Sequence, residues 1–478
     1  MRYETVIGLE VHVELATDSK IFCSCANRSG DEQNSHVCPA CCGMPGMLPI
    51  VNKRAVDLGI TAGRMLNCHI NRVTTFDKKS YYYPDLPCSY QTTQWFSPVA
   101  VNGTVRIETE DGPKDIRIKQ IHMEEDAGKL VHDTLSNITL VDFNRTSVPL
   151  IEIVSQPDLS SADEVVAYLE RLRSLLRFAK VSECRMELGT MRCDVNLSVR
   201  PEGSAELGVR TEMKNMNSIS AIRRAIAFEQ DRHIDAIENG TEELVQETRR
   251  WDDERGMSFA MRNKETAGDY RYFPDPNVMP IVIDDEWYDR IDASLPPFPE
   301  VKKQQLIDEG LAERDAELLV GSRVLCDCFD EAYRVSGLAK ECANWIGTNC
   351  LAILKKNGQT MDDLSLSGTR LGELVKLVGD GVVSSANAKL ILEAMFEGDD
   401  VDPQAYAEAH DMVISGDTDA VMDVIRAIVA ENEKDADDYR GGNEKAINPL
   451  FGKCMKQLKG NCEPKQLREM LIKCLMEG

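Results

Sequence analysis

Four cysteines near the N-terminus have the residue type and the spacing of a tetrahedral metal site. They form two close pairs separated by twelve residues, so that two turns can each present two sulfur atoms to one Zn²⁺. The predicted zinc ligands are Cys23, Cys25, Cys38 and Cys41. A fifth thiol, Cys42, leaves the assignment of ligands open. A closed four-sulfur site of this kind stabilises a fold, whereas the alternative is four unliganded thiols in turns, exposed to oxidation.

Polar side chains recur at every second position in three segments whose pattern is typical of β-strands. In a strand such residues share one face, opposite an apolar face. The three polar faces are formed by Glu10, His12 and Glu14; by Arg192, Asp194, Asn196, Ser198 and Arg200; and by Arg210, Glu212 and Lys214. A face of this kind is usually the solvated side of an antiparallel sheet. The pattern therefore leaves two interpretations open, a solvated face and a binding site.

Glu152 is a single carboxylate within the otherwise apolar residues 148–154. Because burial of an unpaired carboxylate costs several kcal/mol, we expect a cation or a proton to be its partner. Glu124, Glu125 and Asp126 follow another strand-like segment and add three acids. Oxygen donors with one histidine suit a hard divalent cation such as Mg²⁺, and Arg or Lys on the same strands can bind phosphate. The pattern therefore predicts a Mg-nucleotide site.

The segments that carry these residues belong to a region of short alternating runs that extends to about residue 295. Period-two runs separated by Gly, Asn and Asp predict a largely antiparallel sheet. Two helices interrupt it: one is capped at Ser160-Ser161 and continues over residues 165–178, and the other covers residues 218–239 and ends at Gly240. This half of the chain is predicted to be α+β, with a mixed sheet, and not a doubly wound α/β domain.

A proline-rich segment at residues 295–300 predicts a linker, because proline interrupts regular elements. Beyond it the apolar residues have helical spacing. The predicted helices cover residues 301–309, 312–319, 324–335, 338–354 and 371–379. Within them Cys326 and Cys328 are predicted to pack in the core. A second change of composition near residues 397–405 predicts a smaller all-α unit that continues to the end of the chain.

Composition limits the class of protein. With 478 residues, of which 42% are hydrophobic, the chain is long enough for about three domains. Its 16 cysteines stand without a secretion signal, which predicts reduced thiols and a cytoplasmic location. No apolar run approaches the ~20 residues that span a bilayer, so we predict no membrane partner.

Charge is distributed unevenly along the chain. The net charge of −25 argues against a general nucleic-acid binder, and we predict no DNA partner, because an acidic surface repels phosphate. Residues 443–478 differ, with seven Lys or Arg against four Glu, which indicates a specialised tail or a solvated helical surface. The common phosphate-loop and dinucleotide-binding motifs are absent, so ATP is expected to bind in a less common way.

Several longer motifs resemble those of the B subunit of the aspartyl/glutamyl-tRNA amidotransferase. The resemblance extends over the whole chain, and its most specific motifs lie before residue 280. The motifs are Ile7-Gly8-Leu9-Glu10-Val11-His12-Val13-Glu14-Leu15, Cys38-Pro39-Ala40-Cys41-Cys42-Gly43-Met44-Pro45-Gly46, Tyr83-Pro84-Asp85-Leu86-Pro87, His122-Met123-Glu124-Glu125-Asp126-Ala127-Gly128-Lys129, Asp142-Phe143-Asn144-Arg145 and Tyr270-Arg271-Tyr272-Phe273-Pro274-Asp275-Pro276.

This resemblance implies three domains and a reaction. The domains are a catalytic cradle at 1–295, a helical domain at 296–404 and a small YqeY-like tail domain at 405–478. In the implied reaction, ATP phosphorylates the side-chain carboxylate of mischarged Glu-tRNA(Gln) or Asp-tRNA(Asn). Ammonia from a glutaminase A subunit then displaces the phosphate and leaves the amide. A small C subunit completes the implied heterotrimer, and the implied cofactors are ATP, Mg²⁺ and structural Zn²⁺.

The site residues that the resemblance implies coincide with residues that the strand patterns had already indicated. The predicted catalytic and Mg²⁺-binding residues are Glu10, His12, Glu124 or Glu125, Glu152 and Asp194. The predicted nucleotide-binding residues are Arg192, Arg210, Glu212 and Lys214. Lys79 resembles a residue that lines the family's ammonia tunnel. The choice between Glu124 and Glu125, and between the two tRNAs, stays open.

The sequence departs from the family pattern at two places. Cys88 follows Pro87 where the family usually has Lys, which removes a cation from the expected ammonia path. In the tail, Lys459-Gly460-Asn461-Cys462-Glu463-Pro464 replaces a motif that commonly reads Lys-Gly-Lys-Ala-Asn-Pro. Loss of a Lys and gain of a Glu weaken the expected contact of the tail with tRNA phosphates.

Two other functions compete with the implied one. The first is a non-catalytic, zinc-stabilised adaptor that binds tRNA through the same fold without consuming ATP. The second is a free-standing amidase, which is disfavoured because the chain lacks the Ser-rich loop and Lys expected of a glutaminase. Dependence of ATP hydrolysis on tRNA separates the adaptor from the enzyme.

Overall fold

The computed structural model describes residues 2–133, 136–261, 270–398, 400–414, 418–458 and 464–477. The chain divides into two compact units, Met1–Phe298 and Pro299–Gly478. The first unit contains all the strands of the described chain together with four helices, and the second is helical. The predicted α+β class is confirmed.

The first unit has sixteen strands within the described residues. They are β1 (Tyr3–Glu14), β2 (His69–Ile70), β3 (Val73–Thr74), β4 (Asp77–Ser80), β5 (Tyr90–Thr93), β6 (Ala100–Thr109), β7 (Gly112–Glu125), β8 (Lys129–Asp133), β9 (Ile138–Asp142), β10 (Pro149–Ser155), β11 (Met191–Pro201), β12 (Thr211–Lys214), β13 (Glu247–Asp252), β14 (Met257–Ala260), β15 (Phe273–Pro274) and β16 (Ile281–Val282). Its helices are α1 (Lys53–Met65), α2 (Ala162–Phe178), α3 (Ile219–Asn239) and α4 (Asp285–Ser294).

Nine strands form one sheet in the order β14-β13-β12-β11-β1-β10-β7-β6-β2. Within the described chain, neighbours in this sheet are antiparallel except for β12 and β13, so the sheet is mixed but largely antiparallel. A second sheet has the order β15-β4-β5, and β8-β9 and β16-β3 form two smaller ones. Strand β1 lies near the middle of the large sheet, between β10 and β11.

The alternation in β1 determines which face of the sheet is buried. Ile7, Leu9, Val11 and Val13 are buried in the core of the first unit, whereas the residues between them are half-buried on the other face. Helices α1 and α2 pack against β6, and α3 packs against β11, in the same core. The sheet therefore has one apolar face covered by helices and one polar face, which carries the candidate site.

The predicted helix ends in the first unit agree with the structure. Ser161 caps α2 by accepting a hydrogen bond from the Glu164 amide, and Ser218 caps α3 in the same way. Gly240 ends α3 in the left-handed conformation, at φ 63°, which glycine adopts at little cost. The sequence analysis missed α1, although Asn52 caps it by accepting hydrogen bonds from two amides.

The second unit contains twelve α-helices within the described residues. They are α5 (Pro299–Asp308), α6 (Glu313–Val320), α7 (Arg323–Ser336), α8 (Ala339–Asn344), α9 (Leu351–Lys356), α10 (Gly368–Gly379), α11 (Ser385–Glu397), α12 (Pro403–Ala409), α13 (Thr418–Glu431), α14 (Glu433–Arg440), α15 (Ile447–Gln457) and α16 (Pro464–Glu477). A π-helical segment, Trp345–Cys350, joins α8 to α9, and short 3₁₀ turns lie at Met361–Asp363 and Glu444–Ala446.

The predicted linker changes in detail, whereas the predicted burial of two cysteines is confirmed. Helix α5 already begins at Pro299, so residues 295–298 are irregular and the last two residues of the predicted linker are helical. Proline fits the first turn of a helix, where its missing N–H costs nothing. Cys326 and Cys328 are buried on α7, as predicted.

Helices α13 to α16 enclose a hydrophobic cluster of their own. Val421, Ile425, Leu450, Leu467 and Leu471 are buried at its centre. This is consistent with the predicted tail unit, and the boundaries 296–404 and 405–478 stay a prediction. No helix of the described chain is long and apolar enough to cross a bilayer.

Candidate functional site

The four predicted zinc ligands lie together. The sulfur atoms of Cys23, Cys25, Cys38 and Cys41 are all within 4.8 Å of one another, and those of Cys38 and Cys41 are 3.8 Å apart. Sulfur atoms bound tetrahedrally to Zn²⁺ at ~2.3 Å are separated by about 3.8 Å, so the four thiols match a closed zinc site. Cys42 is not part of this group of four.

The surroundings of Cys41, in contrast to those of Cys23 and Cys25, favour the negatively charged thiolate. Lys20 is fully buried, with its Nζ 3.7 Å from Cys41 Sγ and 3.1 Å from the carbonyl oxygen of Phe143. A hydrogen bond from the Cys23 thiol, helped by the Cys38 amide and Lys20, outweighs burial and lowers the pKa of Cys41 to about 4. Thiolate is the form that binds metal, and a buried cation offsets part of its charge.

The loop between the cysteine pairs and the turn after the second pair need residues that tolerate positive φ. Gly30, Asn34 and Gly43 have φ values of 91°, 58° and 66°. At Gly43 a Cβ atom would lie 3.0 Å from both the Cys88 sulfur and the backbone of Pro87, so glycine also permits this close approach. Asn34 accepts a hydrogen bond from the Phe143 amide at 2.8 Å and thereby fastens the loop to the sheet domain.

A first group of possible ligands lies on the polar face where three strands meet. We call His12, Glu124 and Glu152 the histidine cluster; their ligand atoms lie within 4.8 Å of one another. His12 on β1 pairs with Glu152 on β10, and Leu150 on β10 pairs with Glu124 on β7. His12 Nε2 is 3.4 Å from a carboxylate oxygen of each acid. Strand register thus brings together residues more than 100 positions apart.

His122 is a functional candidate that the strand patterns did not single out. It pairs with Glu152 across β7 and β10, and its Nε2 lies 2.9 Å from Glu152 Oε2 and 3.8 Å from Glu124 Oε2. Its position two residues before Glu124 in the same strand was the available signal, because alternate residues share a face. The imidazoles of His12 and His122 thus lie beside Glu152, where a cation was expected.

The histidines and acids of this cluster shift each other's proton affinities. Burial acts to lower the pKa of His12, but the carboxylates of Glu152 and Glu124 outweigh it and raise the pKa to about 9. The same balance raises the pKa of His122. Burial also opposes ionisation of Glu152, yet His122 and His12 hold its pKa well below the usual range. Glu152 is therefore ionised and lies between the imidazoles of His12 and His122.

A second group lies beside the first on the same face. We call Glu10, Asp194 and Glu212 the acidic cluster; one carboxylate oxygen of each lies within 4.8 Å of the others. Glu10 on β1 pairs with Asp194 on β11, and Glu212 lies on the neighbouring β12. Lys214 Nζ donates to Asp194 and lies 3.2 Å from Glu212 Oε1. Because Glu10 and His12 are two residues apart in one strand, the clusters are separated by roughly 7 Å along β1.

Hydrogen bonds from neighbouring residues orient the acidic cluster. Asn196 Nδ2 donates to Glu10 Oε1 at 3.0 Å, and Thr248 Oγ1 donates to Glu212 Oε2 at 2.8 Å. Glu212 is almost fully buried and Thr248 lies on the parallel neighbour β13. A cation site requires ligand oxygens that are held in place, and hydrogen bonds from neighbouring residues provide this.

Two predicted nucleotide-binding arginines lie outside the clusters. Arg192 pairs with His12 in the sheet, and its guanidinium donates to Asp126 Oδ2 at 2.7 Å. Burial acts to lower the pKa of Arg192, but Asp126 and Glu14 raise it overall, so it stays charged beside the histidine cluster. Arg210 lies one residue before β12 and is exposed, and it belongs to neither cluster, so its predicted nucleotide contact stays a prediction.

Glu125 is not brought to the histidine cluster, although Glu124 is. Its carboxylate accepts hydrogen bonds from Ser147 Oγ at 2.6 Å and from the Thr92 amide at 2.9 Å. Burial raises the pKa of Glu125, and these hydrogen bonds oppose the rise. It lines a cleft of about 160 Å³ together with Cys88 and Ser147, beside the cysteine group. Among the two neighbouring acids, the geometry thus favours Glu124 as the metal ligand.

Lys79 and the tail motif lie elsewhere. Lys79 on β4 places its Nζ 4.9 Å from the ring centre of Tyr270 and 5.5 Å from that of Tyr81. Its predicted place in an ammonia tunnel stays a prediction. Lys459, Gly460, Asn461, Cys462 and Glu463 of the tail motif lie outside the described residues.

Comparisons with known proteins identify the family of the chain. A family model described as the GatB/GatE catalytic domain matches residues 5–289, which places the first unit in a class of catalytic domains. A model described as the GatB domain matches residues 327–475. The chain belongs to the family of the aspartyl/glutamyl-tRNA(Asn/Gln) amidotransferase B subunits, so the predicted family is confirmed.

Relatives that match over the full length of the chain are named as B subunits of this amidotransferase. The chain is 46% identical to the B subunit of the aspartyl/glutamyl-tRNA(Asn/Gln) amidotransferase of Lachnoclostridium phytofermentans, over 100% of this chain and 99% of that protein. It is 45% identical to the corresponding proteins of Agathobacter rectalis, over 99% of both chains, and of Caldicellulosiruptor bescii, over 98% of both chains.

Proposed function

We propose that this chain binds a mischarged aminoacyl-tRNA and uses Mg-ATP to activate the side-chain carboxylate of its amino acid for amidation. The observation that carries the proposal is the pair of neighbouring clusters on one polar sheet face. Six carboxylate or imidazole groups converge there, in a domain that resembles a catalytic one. A merely solvated face would not need to bury Glu124 and Glu212.

The donors in the two clusters fit Mg²⁺. The histidine cluster offers two carboxylates and an imidazole, and the acidic cluster offers three carboxylates. Mg²⁺ prefers oxygen donors and is commonly shared between a few carboxylates and substrate phosphates. When bound, it would neutralise charge on the transferring phosphoryl group. The residues that would hold it are Glu10, His12, Glu124, Glu152, Asp194 and Glu212.

The first chemical step forms an acyl phosphate. A side-chain carboxylate oxygen of the aminoacyl group attacks the γ-phosphorus of ATP, the bond to the β-phosphate oxygen breaks, and ADP leaves. Lys214 and Arg192, which lie beside the clusters, would bind phosphate oxygens, and Arg210 stays a predicted third cation. Lys214 at present bridges Asp194 and Glu212, so we expect it to exchange a carboxylate for a phosphate when ATP binds.

The second step forms the amide. Ammonia attacks the carbonyl carbon of the acyl phosphate, and inorganic phosphate leaves. We propose that the ammonia comes from a glutaminase A subunit, that a small C subunit joins the complex, and that Lys79 and the cleft beside Glu125 face the incoming ammonia. The substrates would be Glu-tRNA(Gln), Asp-tRNA(Asn) or both, in the cytoplasm, for protein synthesis. DNA and membranes have no part in this proposal.

Zinc would have a structural part. The four-cysteine group has the donor type and the separations of a closed Zn²⁺ site, with a buried lysine beside it. Such a site leaves no open position for a substrate, so the metal would fasten the loop of residues 23–41 to the cradle.

The test is ATP hydrolysis by the full chain, reconstituted with its A and C partners, with and without each mischarged tRNA. We expect hydrolysis that requires Mg²⁺ and one of the two mischarged tRNAs. Glu152→Gln removes the charge at nearly constant volume and should reduce this hydrolysis at least about 100-fold. Glu4→Gln on the same strand face of β1 should leave it within about twofold.

Two results would reject the proposal. If the complex binds tRNA but hydrolyses no ATP with either mischarged tRNA, the chain acts as an adaptor and the polar face is only solvated. If Glu152→Gln folds normally and hydrolyses ATP at the wild-type rate, the histidine cluster is not the site of activation.

A further inference from the structure

A stacked aromatic pair lies beside the histidine cluster and remains accessible. The rings of Trp95 and Tyr272 are 4.4 Å apart and nearly parallel, with 11° between their planes. Trp95 nevertheless keeps 45% of its surface exposed. An exposed indole with a second ring stacked behind it offers a flat surface on which a planar ligand group can stack.

The backbone that carries Trp95 is held rigidly. The buried Asp77 carboxylate accepts hydrogen bonds from the Trp95 amide at 2.7 Å and from the Phe96 amide at 3.0 Å. The preceding Gln94 is fully buried, and its side chain accepts hydrogen bonds from the amides of Val99 and Met123 at 3.0 and 3.1 Å. With Gln94 fixed inward and the turn fixed by Asp77, the indole is pre-positioned outward, which reduces the entropy lost on binding.

The pair is adjacent to the candidate reaction centre. Two residues before Trp95, Thr93 Oγ1 donates to Glu124 Oε2 of the histidine cluster at 3.4 Å. Burial raises the pKa of Tyr272, with further contributions from Tyr270, Glu152 and Glu124, so this ring lies within electrostatic range of both acids. Thr93 ends β5 and Trp95 follows two residues later, so the side-chain contact to Glu124 and the indole of the stacked pair belong to one short segment.

A cation completes the surroundings of the pair. Tyr270 packs edge-to-face against Tyr272, with ring centres 5.9 Å apart, and Lys79 Nζ lies over the Tyr270 ring at 4.9 Å. Aromatic rings that stack bases and nearby cations that attract phosphate are the combination by which proteins bind single-stranded nucleic acid. On a chain with a net charge of −25, stacking supplies affinity that a general electrostatic attraction cannot.

We propose that the exposed face of Trp95, backed by Tyr272, stacks on the unpaired 3′-terminal adenine of the aminoacyl-tRNA. The proposal rests on the proposed function and specifies how that site holds its substrate. The amino acid is esterified to the ribose of this same nucleotide, so a side-chain carboxylate bound at the histidine cluster confines the terminal base to the surroundings of that cluster. Stacking there fixes the ester between an anchored base and the phosphoryl donor, which orients the attacking carboxylate.

The experiment measures binding of the full chain to two labelled tRNAs, one intact and one lacking only the terminal adenosine. Trp95→Ala should weaken binding of the intact tRNA about tenfold and leave binding of the shortened tRNA unchanged. Trp95→Phe keeps a ring and should recover most of the affinity. Phe96→Ala removes the exposed neighbour on the same Asp77-held turn and serves as the matched control, with affinity within about twofold of the wild type.

A second experiment distinguishes the two substrates that carry an adenine ring, ATP and the tRNA. The affinity for ATP, measured without tRNA, should be the same for Trp95→Ala and the wild type. Loss of ATP affinity in Trp95→Ala, with tRNA binding intact, would overturn the proposal, because the stacked pair would then bind the adenine of ATP. Equal weakening of both tRNAs would also overturn it, because the effect would then not depend on the terminal base.

Failure of this proposal is distinguishable from failure of the proposed function. If the wild type hydrolyses ATP in a tRNA-dependent manner while Trp95→Ala binds intact tRNA like the wild type, the stacking proposal alone is wrong. If the wild type binds neither tRNA, the stacking proposal and the proposed function are both wrong. Thermal unfolding midpoints of the variants, compared with the wild type, exclude loss of the fold as the cause of weaker binding.

Discussion

At the residue scale, the neighbouring acids Glu124 and Glu125 have different surroundings because successive residues of a strand point to opposite faces. Glu124 joins His12 and Glu152 on the polar face. Glu125 is held by Ser147 and Thr92 beside the cleft at the cysteine group. A shift of β7 by one residue would exchange the two, so the register of this strand selects the candidate metal ligand.

This difference predicts unequal effects of two isosteric changes. Glu124→Gln should reduce tRNA-dependent ATP hydrolysis at least about 100-fold, because it removes one charge from the candidate cation site. Glu125→Gln should reduce it less than about tenfold, because the amide oxygen can still accept the hydrogen bond from the Thr92 amide while the NH2 group donates to the Ser147 hydroxyl. Initial rates at several Mg²⁺ concentrations measure both. The reverse order of effects would assign the metal to Glu125.

At the element scale, the loop of residues 23–41 contains little regular structure and depends on cross-links for its shape. Its turns use positive φ at Gly30 and Asn34, and its cysteines converge on one point. Backbone without a ladder of hydrogen bonds loses more entropy per contact when it orders, so a metal cross-link contributes strongly to its stability.

We therefore expect Cys38→Ser combined with Cys41→Ser to release about one zinc per chain and to destabilise the first unit by several kcal/mol. Metal content and the thermal unfolding midpoint are the measurements. Cys42→Ser is the matched control, since its sulfur is outside the group of four, and it should keep the metal. A double variant with unchanged zinc content would disprove the assignment of ligands.

Helix α3 is joined to the edge of the sheet by buried charges. Glu229 is fully buried, with ion pairs to Arg232 at 2.8 Å and to Arg249 at 3.1 Å. His233 is also fully buried, and its Nε2 is 2.9 Å from Thr211 Oγ1 at the start of β12. Burial, with the nearby Arg232 charge, lowers the pKa of His233 to about 4. The network thus holds β12, which carries Glu212, against α3.

The lowered pKa makes the stability of this unit depend on pH. The unfolded chain takes up a proton on His233 near pH 6.5, whereas the folded chain takes it up only near pH 4. Stability therefore falls as the pH drops from 6.5 to 4, by on the order of 3 kcal/mol from this residue. Urea unfolding midpoints at pH 7 and pH 5 should differ more for the wild type than for His233→Gln. Equal differences would mean that His233 does not contribute.

At the scale of the whole molecule, the chain consists of two compact units, and each has its own core. The core of the first unit includes β1, β7, β10 and β11 together with helices α1 to α3. The second unit contains the separate cluster around Ile425 and Leu471. Both candidate cation clusters and the cysteine group lie within the first unit. The chemistry proposed here is thus built from one unit.

A fragment of residues 1–298 is expected to fold on its own, because its core is complete without the second unit. Its circular dichroism should show the α+β spectrum, and it should bind zinc as the full chain does. Its unfolding midpoint should lie within about 5 °C of the first unit's transition in the full chain. A fragment that is unfolded at 25 °C would show that the second unit is required.

The sequence by itself determined the chemical inventory and the local rules of its arrangement. Alternation placed Glu10 and His12 on one face of a strand, and the spacing of the cysteines indicated one tetrahedral group. Helix caps such as Ser161 and Ser218 were also readable, because capping depends on residues within one turn. Motifs of this length were specific enough to indicate the family, which the comparisons confirmed.

Only the tertiary structure decided which of these residues meet. The pairing of β1 with β10 and of β10 with β7 brings His12, Glu152 and His122 into one row, over separations of more than 100 residues. Strand order and register are global properties, since they depend on how the whole sheet buries its apolar face. For the same reason the sequence could not separate Glu124 from Glu125.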